Sequence, residues 1–229
     1  MNLTAIQQAI HTLYEGDTDV PSSSEEDYSV RTRLINAAIN RWEKEDGVLW
    51  NELWVKLSDA ADGDTTTADG TLSYDCPSDF HMPGGYVRLV DANGSSTYYM
   101  VYPPHKAQLF DNEDKKVCWF DGNPSSGYDL NFLDDPDGSY TISYEYYKLA
   151  DSLSSGTDIP EMGDPYFIVY FVLSRLYEID GQMANATKAF QESESRLAQM
   201  KARNMQMGWY QDSRIEDWDL EQGVSGFGV

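Results

Sequence analysis

Apolar positions follow two different rhythms along the chain. Near the start, Leu34, Ala38 and Trp42 recur at i, i+4 with Ile35 and Ile39 beside them, the stripe of an amphipathic helix. Ser23 and Glu26 have the spacing of a capping box ahead of it, and Gly47 closes it, so a helix is expected to about residue 46. Before that, Met1–Tyr14 reads as a shorter amphipathic helix. A second long helix is expected from Asp164-Pro165, since aspartate caps well and proline fits a first turn. Its apolar face of Phe167, Ile168, Phe171, Val172, Leu176 and Ile179 is broad enough for burial on several sides. Gly181 breaks the run. A third helix is expected over Met183–Met207, with a stripe of Ala186, Phe190, Leu197, Met200 and Met207 and a surface pair Glu192–Arg196. The short loop between these two predicts an antiparallel hairpin.

Between the helical ends, Val48–Ile159 changes to short β-branched and aromatic runs separated by turn clusters. Strands are expected within Leu49–Leu57, Tyr86–Val90, Thr97–Tyr102, Lys116–Phe120 and Tyr140–Tyr147. Asp91-Ala92-Asn93-Gly94 and Pro136-Asp137-Gly138 are turns, because glycine and asparagine tolerate positive φ. From Gly208 the helical period is lost, and Trp209, Tyr210, Trp218 and Phe227 stand among acids and glycines. The fold class predicted is α+β. An antiparallel helical bundle is built from the two ends of the chain (1–46 with 162–207), a β-barrel or β-sandwich domain is inserted (47–161), and an extended C-terminal arm follows (208–229). The arm is expected to be mobile in the free subunit and to order on docking.

Composition narrows the functional classes. The 229 residues are 41% hydrophobic, enough for a real core, and carry a formal net charge of -23. No basic patch is present to neutralise a phosphate backbone, so sequence-independent nucleic-acid gripping is not expected, and no sequence-specific nucleic-acid binding is expected either. An acidic wall can instead repel DNA from a channel. No signal peptide is expected at the N-terminus, and the longest apolar run, Tyr166–Leu173, is far shorter than the ~20 residues of a membrane span. A soluble protein is expected. Cys76 and Cys118 are too few for a disulfide framework; they are expected as reduced core thiols, with a single bridge between them left open.

A search for site chemistry returns no catalytic residue, no metal ligand set and no cofactor motif. Acid pairs such as Asp134-Asp135, or Glu161 with Asp164, are expected from 39 acidic residues and read as solvated surface. Asp59-Ala60-Ala61-Asp62-Gly63-Asp64 lacks the spacing and the bidentate glutamate of a calcium loop. His11, His81 and His105 are not at metal spacing. Aromatic residues make up 13% of the chain and mostly fill a core. Tyr98-Tyr99 and Tyr146-Tyr147 are different, because neighbours on a strand face opposite ways and one of each pair could serve as an interface anchor. For these four residues, core and interface both fit.

Arg33-Leu34-Ile35-Asn36-Ala37-Ala38-Ile39-Asn40-Arg41-Trp42, followed by a strand carrying Trp50 and Trp54, resembles the head-to-tail adaptors of tailed bacteriophages, of the short-tailed type. The likeness continues through Ile159-Pro160-Glu161, Asp164-Pro165-Tyr166 and Tyr177-Glu178 to the Phe190–Arg203 helix. The resemblance implies a structural virion protein without enzymatic activity, made in the host cytoplasm. It implies a ring, usually of twelve subunits, that joins the portal protein to the tail nozzle or tail-tube protein around the DNA exit channel. Trp209, Tyr210, Trp218 and Phe227 would then be the portal-docking arm. The β insertion would meet the nozzle, a fibre or another tail part. No cofactor and no membrane partner are implied. Competing classes are a tail-completion or fibre-binding collar protein, a virion-associated peptidoglycan hydrolase and a carbohydrate-binding module.

Overall fold

A computed structural model describes residues 1–17, 21–107, 109 and 116–221, with side chains described as far as 206. The chain is mixed α+β and divides into two compact units. One comprises Met1–Glu52 and Ala150–Val229, the other Leu53–Leu149.

The first unit is helical. α1 (Leu3–Glu15) is capped by Asn2, whose side chain accepts from the Ala5 N–H at 2.9 Å. It buries Leu3, Ile6 and Ile10 on one stripe. α2 (Glu26–Glu43) buries Ile35, Ala38, Ile39 and Trp42 as the periodicity predicts, but ends at Glu43, short of Gly47. The expected capping box does not form. Glu25 takes the cap position, and Ser22 Oγ bonds its carboxylate at 3.1 Å, so the serines here hold one another and the loop instead. α4 (Tyr166–Ile179) starts where Asp164 Oδ1 accepts from the Tyr166 N–H at 3.0 Å. Its buried residues run from Phe167 to Leu176 on every side.

α5 begins at Met183, as expected, but continues to Glu221, a helix of 39 residues. The backbone from 208 to 221 is therefore helical and not an extended arm, and the four glycines at 208–228 do not stop it at the first. α5 packs along α4, and α4 also touches α1 and α2. Arg196 clamps the α4–α5 pair: it bonds Asp164 at 2.8 Å and Glu192 at 3.2 Å, and lies over the rings of Tyr166 and Tyr170.

Among its described residues the second unit holds nine strands and the single-turn α3 (Pro104–Ala107). They are β1 (Trp54–Lys56), β2 (Ser73–Asp75), β3 (Phe80–Pro83), β4 (Val87–Val90), β5 (Ser96–Val101), β6 (Val117–Asn123), β7 (Gly127–Phe132), β8 (Thr141–Ser143) and β9 (Glu145–Lys148). Six strands form a curled half-barrel sheet in the order β2-β7-β6-β5-β4-β8, and three form β1-β9-β3. The expected strand Tyr140–Tyr147 is split between these sheets, with Tyr144 buried at the switch. Its alternation survives the split, because Ile142, Tyr144 and Tyr146 all point into one core. β5 and β6 run parallel, and the crossover carries α3. The core is aromatic. Phe80 stacks on Phe120 and Tyr146 with ring centroids 4.9 and 5.5 Å apart, and Tyr99 meets Phe132 edge-on at 4.8 Å.

Candidate interaction surfaces

Five of the acids singled out in the sequence, Asp62, Asp64, Asp135, Glu161 and Asp164, are occupied in hydrogen bonds or an ion pair. Asp62 accepts from the Ser78 N–H at 2.9 Å, which holds its carboxyl below the usual carboxylate range. Asp64 accepts from the Asp75 N–H at 2.9 Å. Gly63 between them has φ +98 and lies so close to Pro77 that a Cβ would sit 2.9 Å from its nitrogen, so only glycine fits. Asp135 receives the Gly70 N–H, Glu161 the Asp151 N–H, and Asp164 the Arg196 guanidinium. His11 is buried against Arg31, its Nδ1 2.9 Å from Nη1, while His81 and His105 are exposed. Cys76 and Cys118 are free thiols inside the β core.

The paired tyrosines separate cleanly. Tyr99 and Tyr146 are core residues, 4% and 0% exposed, and so are not interface anchors. Tyr146 donates to Asp79 at 2.8 Å. Tyr98 is 60% exposed and Tyr147 half-buried. The register decides this. Val87 pairs with Tyr99 and both face inward, which turns Arg88 and its partner Tyr98 outward.

Around Tyr98 several large side chains stand on the outer face of the curled sheet. Tyr86 is 69% and Met100 55% exposed, and Tyr102 and Trp119 on the same side are half-buried. Arg88 lies among them, bonded to Ser143 at 3.0 Å. On the next strands the same face turns acidic, because Asp75, Asp129 and Asp121 stand opposite one another across β2, β7 and β6. Solitary exposed apolar residues are ordinary; several large ones on one face of a sheet are the composition of a protein-binding surface. Tyr86 and Met100 were not marked in the sequence, although Tyr86 precedes a strand by one residue and alternates with its core positions. A second, smaller aromatic group stands on β1, β9 and β3, where Tyr147 pairs with Trp54 and Met82.

Trp209, Tyr210 and Trp218 lie on the α5 backbone, with side chains outside the described residues; Phe227 lies wholly outside them. The residues that carried the phage resemblance are largely structural ties of the helical unit. Trp42 and Trp50 stack at 5.1 Å, with Trp50 Nε1 donating to the Trp42 carbonyl. Asn36 both donates to and accepts from the backbone of Leu153, at 3.0 and 2.8 Å. Further ties gave no sequence signal, since they join distant segments: Asn204 to Leu49 and Asn51, and Glu45 to Lys201.

Among the described residues no group of acidic, histidine or cysteine side chains could hold a metal ion, and no helix is long and apolar enough to cross a membrane. The exposed aromatic residues of the β unit suit a protein-binding surface. The chain belongs to the SU10 adaptor protein family, whose model matches residues 1–215. The match bears out the resemblance to phage head-to-tail adaptors and with it a structural role as a component of the virion. No curated protein matches the chain.

Proposed function

We propose that this protein is the head-to-tail adaptor of a short-tailed phage, forming a ring of twelve copies that joins the portal protein to the tail nozzle around the DNA exit channel. The family match over nearly the whole chain carries this reading. Three features support it. The net charge of -23 suits a wall that DNA must slide past without sticking. α5 is far longer than its 14-residue partner α4, so it offers helix beyond its own hairpin for docking on the portal through Trp209, Tyr210 and Trp218, with Phe227 beyond. The outward aromatic face around Tyr98 supplies the β unit with a surface for a neighbouring copy, a nozzle subunit or a fibre.

The test is reconstitution with the portal protein of the same phage and electron microscopy of the product. A twelvefold layer of adaptor on the portal is the expected result. Sixfold assembly on a distal tail part, with no portal binding, would assign the chain to another virion component. A variant lacking residues from Gly208 onward is expected to fold and to lose portal binding; unchanged affinity would remove α5 from the docking role.

A further inference from the structure

The outer face of the six-stranded sheet has two ends of opposite character. At one end, Tyr98 and Met100 on β5 and Tyr86 just before β4 are exposed, and Arg88 of β4 is set directly opposite Tyr98. Tyrosine, methionine and arginine are the residues enriched where proteins meet. Arg88 is half-buried and donates to Ser143 Oγ at 3.0 Å, yet among the described residues no carboxylate pairs with it. A guanidinium has five donors and no acceptor, so one hydroxyl leaves most of its capacity unused.

At the other end, the same face offers the complement. Asp129 of β7 stands opposite Asp75 of β2 on one side and Asp121 of β6 on the other. All three are exposed and alternate with Tyr74, Leu130 and Phe120 of the core, so they project outward. Asp121 accepts from the Gly122 N–H at 2.8 Å, and among the described residues no cation relieves the row. Like charges set opposite one another cost stability, and a cation from outside would remove that cost. Arg88 of the same copy does not supply it. Two strands stand between β4 and β7, a separation of three spacings of roughly 4.8 Å, and the curl of the sheet turns its two ends in different directions.

We propose that the aromatic face around Arg88 docks a second copy of this chain, through that copy's row of Asp75, Asp129 and Asp121. The carboxylates would accept from the guanidinium, while Tyr86, Tyr98 and Met100 close around the pair and exclude water. The contact joins two different patches and is therefore heterologous: each copy keeps one free end of each kind, and copies add head to tail. The formal charge of -23 does not forbid this, because it is spread over the whole chain and screened beyond about 8 Å at physiological salt, whereas the paired groups touch. Resting on the adaptor reading above for its place in the virion, this contact would lie between adjacent subunits of the ring.

Cross-linking of the full-length protein without portal tests the contact. Ser96→Cys and Ser73→Cys, exposed positions on the outer face beside the two patches, are placed in one chain and treated with a short bis-maleimide. The native thiols are buried and stay unlabelled. A ladder of covalent oligomers is expected, absent from chains with either new cysteine alone. Arg88→Glu or Asp129→Arg, added to the doubly substituted chain, should reduce the ladder at least about tenfold. An equimolar mixture of the two reversed chains should regain it, because each reversal then meets its opposite, and that regain also shows that both variants fold. No ladder, a ladder indifferent to both reversals, or a mixture that regains nothing would overturn the contact. A covalent dimer that never extends would overturn its head-to-tail character. Portal binding is measured apart, on the unsubstituted protein. Failure to bind portal with the ladder intact overturns the adaptor reading alone, and portal binding with no ladder overturns the contact alone.

Discussion

At the scale of single residues, the β core is defined by polar atoms buried among rings. Cys118 is fully buried and bonds the Met100 carbonyl with its thiol, while Cys76 is 8% exposed and lies beside Tyr144. Burial pushes both thiols up to about 12, so neither holds a thiolate near neutral pH. Native protein should therefore resist a thiol reagent at pH 8 and react at two sites per chain in guanidinium. Rapid stoichiometric labelling of the native form would contradict this burial. Arg31 and His11 show the same logic in the helical unit. The guanidinium can only donate, so His11 Nδ1 must be the acceptor, and the bond joins α1 to α2 from inside.

At the scale of elements, the six-stranded sheet carries a built-in conflict. Asp129 on β7 stands directly opposite Asp75 on β2 and Asp121 on β6. Like charges directly opposite across strands are destabilising, by roughly 0.2–1 kcal/mol relative to a neutral pair. These three are exposed, and screening keeps the effect toward the low end. Asp129→Asn is thus expected to stabilise the protein by a few tenths of a kcal/mol in urea unfolding at low salt, and by less at high salt. A loss of stability would show that the row is tied by contacts other than simple repulsion. In the α4–α5 pair, by contrast, Arg196 satisfies Asp164 and Glu192 together.

At the scale of the whole molecule, protons and charge set stability and assembly. Tyr144 and Tyr146 are raised above the ordinary phenol value of 10.0, and Tyr99 is pushed up to about 12, with burial the largest cause in each. The two thiols are raised from 9.0. All five keep their protons in the folded chain at pH values where the unfolded chain has released them. Their stabilisation is complete below about pH 9 and is lost progressively as pH rises from there toward 12. Unfolding followed by far-UV circular dichroism should show the midpoint in urea falling steeply above pH 9 to 10; a flat profile to pH 11 would refute the shared burial of these groups. Assembly faces the net charge of -23, repelled over a Debye length of about 8 Å at physiological salt. Free protein is expected as a monomer or small oligomer that closes its ring on the portal, where partner contacts supply the difference. Stable twelve-subunit rings in light scattering without portal would reverse that order.

The sequence by itself determined the helical faces and most strand positions. Ile35, Ala38, Ile39 and Trp42 had to share a side, because helical and strand periods are properties of a few consecutive residues. Resemblance carried by α2, α4 and α5 was enough to reach the family. Tertiary structure decided the rest wherever both readings of a segment were apolar. Along β5, Thr97, Tyr99 and Val101 alternate with Ser96, Tyr98 and Met100, and nothing local says which set turns inward; pairing with Val87 does. β2, β3 and β7 went unmarked because their short runs mix Asp, His and Asn with the apolar residues. A cleft lined by Tyr14, Glu15, Asp27, Leu176 and Asp180 was equally hidden. Its residues come from positions 14–31 and 176–182, and only the packing of α1, α2 and α4 brings two helix ends and their carboxylates to one place.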